Sequence, residues 1–280
     1  MVKAYYGSHI SLSNVGSVIN ALKEIKEHNG NCIQIFLSSP LRAGKLVKIS
    51  NDEIKSIRDY ANHHDIKIFV HSPYTLNFAK EFVKGDWRIK AMIKEAILGK
   101  QIGAVGSVIH VGKQLSLSED EALLNMEQYI REIIRNIPNG YKIIIETAAG
   151  QGSEVLTLLP ELSAFIRRYT PMERKKIGLC IDTCHIYSAG YDITRKEQGK
   201  TFTKLLSKVF GIKNITLIHL NNSKTKVGSG VDRHEQLKKG TIHIDSLKEI
   251  IKFAKSKGIP LILETPDKGY KTEISLIKSV

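Results

Sequence analysis

"KKIGLCIDTCHIYSAGYD", residues 175–192, begins as a buried strand and ends as something else. Ile177 to Ile181 is a short apolar run of the kind that suits a strand covered on both faces of a parallel sheet. Asp182 follows at once, and His185 comes three residues later, about one helical turn on. The same pattern recurs along the chain. AYYGSHI (4–10), CIQIFL (32–37), KIFVHS (67–72), SVIHV (107–111), KIIIET (142–147), TLIHL (216–220) and PLILET (260–265) join IGLCID (177–182) to make eight candidate strands. Their spacing is that of βα units.

The segments between them read as helices. In SNDEIKSIRDYA, Ser50 or Asn51 can cap, acids fill the first turn, and Ile54, Ile57 and Ala61 share a face. In SEDEALLNMEQYIREIIRNI, Ser118 and Glu121 have capping-box spacing, and Leu123, Tyr129, Ile130, Ile133, Ile134 and Ile137 form an apolar stripe. Pro138-Asn139-Gly140 stops it. Eight strands alternating with helices predict an α/β fold, a (β/α)8 TIM barrel forming one domain over residues 1–280. A doubly wound open sheet is the alternative, but no Gly-rich nucleotide loop follows the first strand.

No Pro-rich linker, composition break or low-complexity tract interrupts this rhythm. The chain carries a net charge of +14, which suits a polyanionic partner, nucleic acid being the usual one. No apolar stretch is long enough to cross a membrane, and MVKAYYGSHI has no secretory character. Three cysteines, Cys32, Cys180 and Cys184, make a poor disulfide framework. A soluble protein of a reducing, intracellular compartment is expected, with no membrane partner.

The strand ends carry chemistry. Strand three ends in His71, four reaches His110, five ends in Glu146, six in Asp182, seven in His219 and eight in Glu264. In a barrel all these ends meet on one face. Carboxylates buried together without cations would be costly. Two further segments add ligands: His185, and Asp232 and His234 flanking Arg233. In an extended stretch Asp232 and His234 point one way and Arg233 the other. Five histidines and four carboxylates exceed what one tetrahedral ion, or two with open positions, require. Three divalent ions against four carboxylates leave about two positive charges to hold a hydroxide and a phosphate oxygen. The imidazole-rich set favours zinc over magnesium.

"CIDTCHIYSAGYD", "HLNNSK…GSGVDRHEQLKKG" and "ETAAGQGS" together resemble the endonuclease IV family of apurinic/apyrimidinic endonucleases, from GSHIS near the start to ILET near the end. The resemblance implies three Zn2+ ions per chain. His71 and His110 would bind one, with Glu146 bridging to a second completed by Asp182, His219 and Glu264. His185, Asp232 and His234 would hold the third. Glu146 or Glu264 would orient or deprotonate the water. The implied substrate is duplex DNA with an abasic site, cut 5′ to the lesion to leave a 3′-hydroxyl and a 5′-deoxyribose phosphate, in base excision repair. Trimming of blocked 3′ ends and action as a monomer are further expectations.

Tyr74 matches the family's lesion-entering aromatic. The leucine that commonly follows it is Thr75 here, with Leu76 one step on, so either could be the wedge. Arg42, in "LSSPLRAGK", lies close to the family's inserting arginine. Arg42, Lys224 and Arg233, with Lys45, Lys113, Lys226, Lys238 and Lys239, are candidate DNA contacts, and the amides of Gly150-Gln151-Gly152 could approach a phosphate. Asn222 stands where the family usually has Asp, with an effect expected on loop packing or a DNA contact. His9 is expected to support the site from behind. His28, His63 and His64 belong to helix ends and His243 to a loop before the last helix. The three sulfurs read as packing groups. The rival reading is a metal-dependent sugar isomerase or epimerase on the same fold. A barrel that binds DNA without cutting it is a third.

Overall fold

A computed structural model describes residues 2–280. Eight parallel strands close into a barrel: β1 (Tyr6–His9), β2 (Cys32–Ile35), β3 (Lys67–His71), β4 (Gly106–Ile109), β5 (Lys142–Glu146), β6 (Ile177–Asp182), β7 (Ile215–His219) and β8 (Leu261–Leu263). Each pairs with its sequence neighbours, and β8 closes onto β1 through Tyr6 opposite Leu261 and Ser8 opposite Leu263. The strands are shorter than their apolar runs by a residue or two. His110 and Glu264 therefore lie one residue past the last ladder position rather than within it.

Alternation inside the barrel stacks Cys32, Phe69, Val108, Ile144, Cys180, Leu217 and Ile262 into one apolar layer. This layer floors the barrel beneath the polar strand ends. Outside it, the helices bury their apolar stripes. Helix Glu119–Asn136 starts with a full capping box between Ser118 and Glu121 and buries Tyr129, Ile130, Ile133 and Ile134. In helix Asn51–His64 the cap is Ser50, again boxed with Glu53. Each such cap contributes about 1 kcal/mol.

Three local features depart from the sequence reading. The segment holding Arg42 is a β-hairpin, Ser38–Ser39 paired with Arg42–Leu46, so Pro40 and Leu41 form its tip. A second small hairpin pairs Asn222–Ser223 with His234–Glu235, which folds the loop after β7 back across the barrel mouth. His243 caps helix Ile244–Lys257, but this is not the last helix, because Tyr270–Ser279 follows β8. No helix among the described residues is long and apolar enough to cross a membrane.

Gly7 is where β1 and β2 approach most tightly: an added Cβ would overlap the carbonyl of Cys32. Backbone cannot rotate aside as a side chain can. Gly7→Ala should therefore lower the urea unfolding midpoint by the equivalent of about 3 kcal/mol, the upper end of ordinary overpacking costs.

Candidate metal centre

Glu146 is the centre of the barrel mouth. It ends β5, is almost wholly buried, and its two oxygens face different partners. Oε2 lies 3.4 Å from Nε2 of both His71 and His110. Oε1 lies 2.8 Å from Nδ1 of His219. Glu264 Oε2 and Asp182 Oδ2 approach the same His219 nitrogen at 3.2 and 3.8 Å. On the far side Asp232 reaches His185 Nε2 at 3.2 Å and His234 Nε2 at 3.1 Å, and Asp182 Oδ2 lies 3.6 Å from His234 Nε2. All nine sequence-selected side chains thus meet in three adjoining groups, the first two sharing Glu146: His71, His110 and Glu146; Glu146, Asp182, His219 and Glu264; and His185, Asp232 and His234. Arg233 is exposed between its two inward neighbours.

The hydrogen bonds behind these groups aim them. His71 Nδ1 donates to the Ser72 carbonyl at 2.8 Å, His185 Nδ1 to Thr147 at 2.8 Å, and His234 Nδ1 to Glu264 at 3.2 Å. In each case the opposite nitrogen is left as a lone pair facing the cluster, the arrangement that fixes a metal-binding imidazole. Asp182 caps the short helix Thr183–Ser188 by accepting from His185 N–H at 2.8 Å, and its other oxygen accepts from Asn221 Nδ2 at 2.6 Å. Asn221 Oδ1 in turn accepts from the Glu264 amide at 2.8 Å. Apart from Glu264, neither Asn221 nor the partners of the histidines stood out in the sequence. Most are backbone carbonyls, which leave no trace there.

The residues fit divalent ions. Glu146 Oε2, His185 Nε2 and His234 Nε2 are buried without a hydrogen-bond partner, and all three belong to the groups just described. Orphaned polar atoms of this kind cost free energy unless something binds them. Electrostatics point the same way. Burial disfavours charge on His234, but Asp182 and Asp232 outweigh it and raise the ring to about 9. His185 and His219 are raised well above the ordinary range against the same burial, His185 chiefly by Asp182 and His219 by the carboxylates of Glu264 and Glu146. Burial alone would raise Asp232 and Glu264, yet the histidines they face hold both well below the usual carboxylate range. The cluster therefore attracts positive charge, as protons or as metal.

The thiols lie within ligand distance of two groups, Cys180 beside Glu146 and His219, and Cys184 beside Asp182 and His234. Burial pushes them up to about 12 and about 11, so both stay protonated near neutrality. A protonated thiol is a poor ligand.

The loop residues sort less evenly. Tyr74 stands half-exposed at the rim, edge-on to His71 and His110, with Phe36 packed between it and His9. Arg42, Lys224 and Arg233 are exposed. Leu76 is in the core, whereas Thr75 is exposed. The amides of Gly150 and Gln151 are already taken by the Glu154 carboxylate, at 3.1 and 2.9 Å, which corrects the expectation that they approach a phosphate. Gln151 instead uses its Oε1 to hold the Asp232 amide at 3.2 Å. Asn222 is fully buried. Its Nδ2 donates to Leu237 and Ile242 carbonyls at 2.8 and 2.7 Å, and its Oδ1 accepts from the Ile242 amide at 2.9 Å. It packs the loop and makes no rim contact.

A family model described as xylose isomerase-like TIM barrel matches residues 22–280. An assigned endonuclease 4 of Acanthamoeba polyphaga mimivirus is 35% identical over 93% of this chain and 85% of its own length. One from Pediococcus pentosaceus is 31% identical over 98% of this chain and 94% of its own. The solved endonuclease IV of Thermus thermophilus superposes with a TM-score of 0.81, at 23% identity, covering 98% of both chains. A D-tagatose 3-epimerase-like protein shares the fold at a TM-score of 0.69 and 20% identity, covering 98% of this chain and 94% of its own.

Two outcomes follow from this geometry. Ions must displace the protons that His185, His219 and His234 hold, the last below about 9, so divalent-metal affinity should rise with pH at least up to that value. Calorimetry in buffers of differing ionisation enthalpy will count the protons released. In the metal-free protein the sign reverses: the His234 proton stabilises fully below about 6.5 and its contribution is lost as pH rises through about 9. Asn222→Asp removes two donors and sets a carboxylate against two carbonyls, which should cost roughly 2–5 kcal/mol in urea unfolding.

Proposed function

The chain belongs to the endonuclease 4 family within the xylose isomerase-like TIM barrels, and from that premise we propose that it is a zinc-dependent DNA-repair hydrolase acting at abasic sites. It hydrolyses the phosphodiester 5′ to the lesion, leaves a 3′-hydroxyl and a 5′-deoxyribose phosphate, and trims blocked 3′ ends at the same centre. The convergence of nine metal-capable side chains around one bridging carboxylate, Glu146, carries this reading.

His71, His110 and Glu146 would hold one zinc; Glu146, Asp182, His219 and Glu264 a second; His185, Asp232 and His234 a third. Bound there, the ions supply an acidified water and charge neutralisation for the phosphoryl oxygens. The chain's own residues supply the rest. Glu146 and Glu264 are anionic and lie within the cluster, placed to orient or deprotonate the attacking water. Tyr74, His110, His185, Asp232, Arg233, His234 and Glu264 line an open recess of about 360 Å³, enough for a phosphate and part of a sugar. Arg233 at its rim pairs with DNA phosphate, with Lys224 and Arg42 on flanking loops. Leu41, 70% exposed at the hairpin tip, lies next to Pro40, whose carbonyl accepts from the Tyr74 amide at 3.0 Å. Leu41 and Tyr74 together form the apolar wedge, in place of Leu76, which the core already holds.

The deciding experiment incubates the purified protein with duplex DNA carrying a reduced abasic analogue, without added magnesium. A cut 5′ to the lesion, lost on prolonged chelation and restored by zinc, is expected. A β-elimination product, or no cut by zinc-loaded protein, would sink the reading. Leu41→Ala should weaken binding to abasic duplex roughly 10-fold while leaving intact duplex nearly unchanged. Arg233→Ala should weaken both, and reduce the slope of log Kd against log salt by about one.

A further inference from the structure

Four of the five cluster histidines have an identifiable partner on the nitrogen turned away from the ions, and three of those partners are backbone carbonyls: His71 on Ser72, His185 on Thr147 and His234 on Glu264. His219 differs. Its Nε2 is 2.8 Å from the side-chain Oε1 of Gln34, a fully buried residue of β2. The other end of the same amide, Nε2, donates to Glu264 Oε1 at 2.6 Å and lies 3.1 Å from His9 Nδ1.

The contacts assign the amide's orientation. A carboxylate cannot donate, so the atom facing Glu264 is the NH2 group. The atom facing His219 is then the carbonyl oxygen, and His219 Nε2 must carry the hydrogen. Nδ1 is then the atom that takes up a proton or an ion, facing Glu146 Oε1 at 2.8 Å, Glu264 Oε2 at 3.2 Å and Asp182 Oδ2 at 3.8 Å. A lone pair among three carboxylate oxygens has no favourable partner except a cation. Glu264 is disciplined in the same way. Gln34 engages Oε1, which leaves Oε2 for the cluster and disfavours a bidentate hold. The NH2 contact also makes His9 Nδ1 an acceptor, so the hydrogen of that ring is on Nε2.

We infer that Gln34 is the positioning residue of the second ion site: one buried amide sets the tautomer of His219 and presents Glu264 through a single oxygen. The inference rests on the three-ion reading above. It concerns a role that a backbone carbonyl plays for three of the other histidines and that here depends on a replaceable side chain. Partners behind metal ligands are worth about 10- to 100-fold in metal affinity.

The test needs metal binding and one spectroscopic reading, and does not depend on nuclease activity. Gln34→Met keeps length and bulk and removes both polar ends. Zinc content is measured after dialysis against graded concentrations of a chelator. Wild type should retain three ions where Gln34→Met retains two, with one site weakened about 10- to 100-fold and the other two unchanged. Long-range 1H–15N correlation of the imidazoles in the zinc-loaded wild type reads the tautomer directly and needs no variant. It should find the His219 hydrogen on Nε2. A hydrogen on Nδ1, or a folded Gln34→Met holding three zincs at wild-type affinity, overturns the role of Gln34 and leaves the three-ion reading standing. A wild-type chain that binds no zinc overturns both.

Discussion

Four carboxylates are brought to one end of a barrel above an apolar layer, and Glu146, Asp182 and Glu264 face the same imidazole nitrogen. Like charges so placed repel, and burial deprives them of water. They can be accommodated only by positive charge among them. His185, His219 and His234 are the protein's provisional answer, taking up protons in the absence of metal. Metal is the better answer, because it satisfies the orphaned oxygen of Glu146 and the orphaned nitrogens of His185 and His234 together. Much of the site architecture is a means of holding these groups in place against that repulsion.

The barrel supplies the holding force. Strand ladders deliver His71, Glu146, Asp182 and His219 as terminal residues, so their backbones are fixed before any side-chain contact is made. The apolar layer below keeps water out from underneath. Above the ladders, Thr147 shows how closely the two levels are joined. Its hydroxyl accepts from the Asp182 amide at 3.0 Å while its carbonyl fixes His185 at 2.8 Å. One residue past β5 therefore sets both ends of the β6 turn.

What could be read in advance follows from this division. An ionisable residue directly after a β-branched run is visible in a sequence, because strand and end are adjacent along the chain. Seven of the nine cluster residues are of that kind or lie close behind; Asp232 and His234 stood out instead by their alternation about Arg233. The supporting contacts are not. Ser72, Thr147 and Glu264 act on histidines through carbonyls, and Asn221 acts on a residue 39 positions away. Gln34 did leave a signal: it is a polar residue in "CIQIFL" at the same parity as Cys32, which faces the barrel interior. A polar side chain at an inward position has to be satisfied there. The Gly150 and Gln151 amides were misread for the opposite reason, since Glu154, the partner that occupies them, lies in the same loop and had no apparent role.

The fold alone does not separate this protein from the epimerase-like barrels that share it, so the loop after β7, which adds to the site, matters. Two of the three ligands of the third group, Asp232 and His234, come from that loop and not from a barrel strand. Extended chain alternation puts them on one side and Arg233 on the other, so one short stretch faces both the metal cluster and the solvent. The loop is held by the Ser223–His234 pairing, by Gln151 on the Asp232 amide, and by Asn222 stapling residues 237 and 242 beneath it. The Asn222 staple requires donors as well as an acceptor, and a carboxylate has none to offer. Asn in place of Asp at this position is thus a packing solution for this loop. That loop brings Asp232 and His234 against His185, and so completes a third group of metal-capable side chains at a mouth whose other groups come from the strand ends.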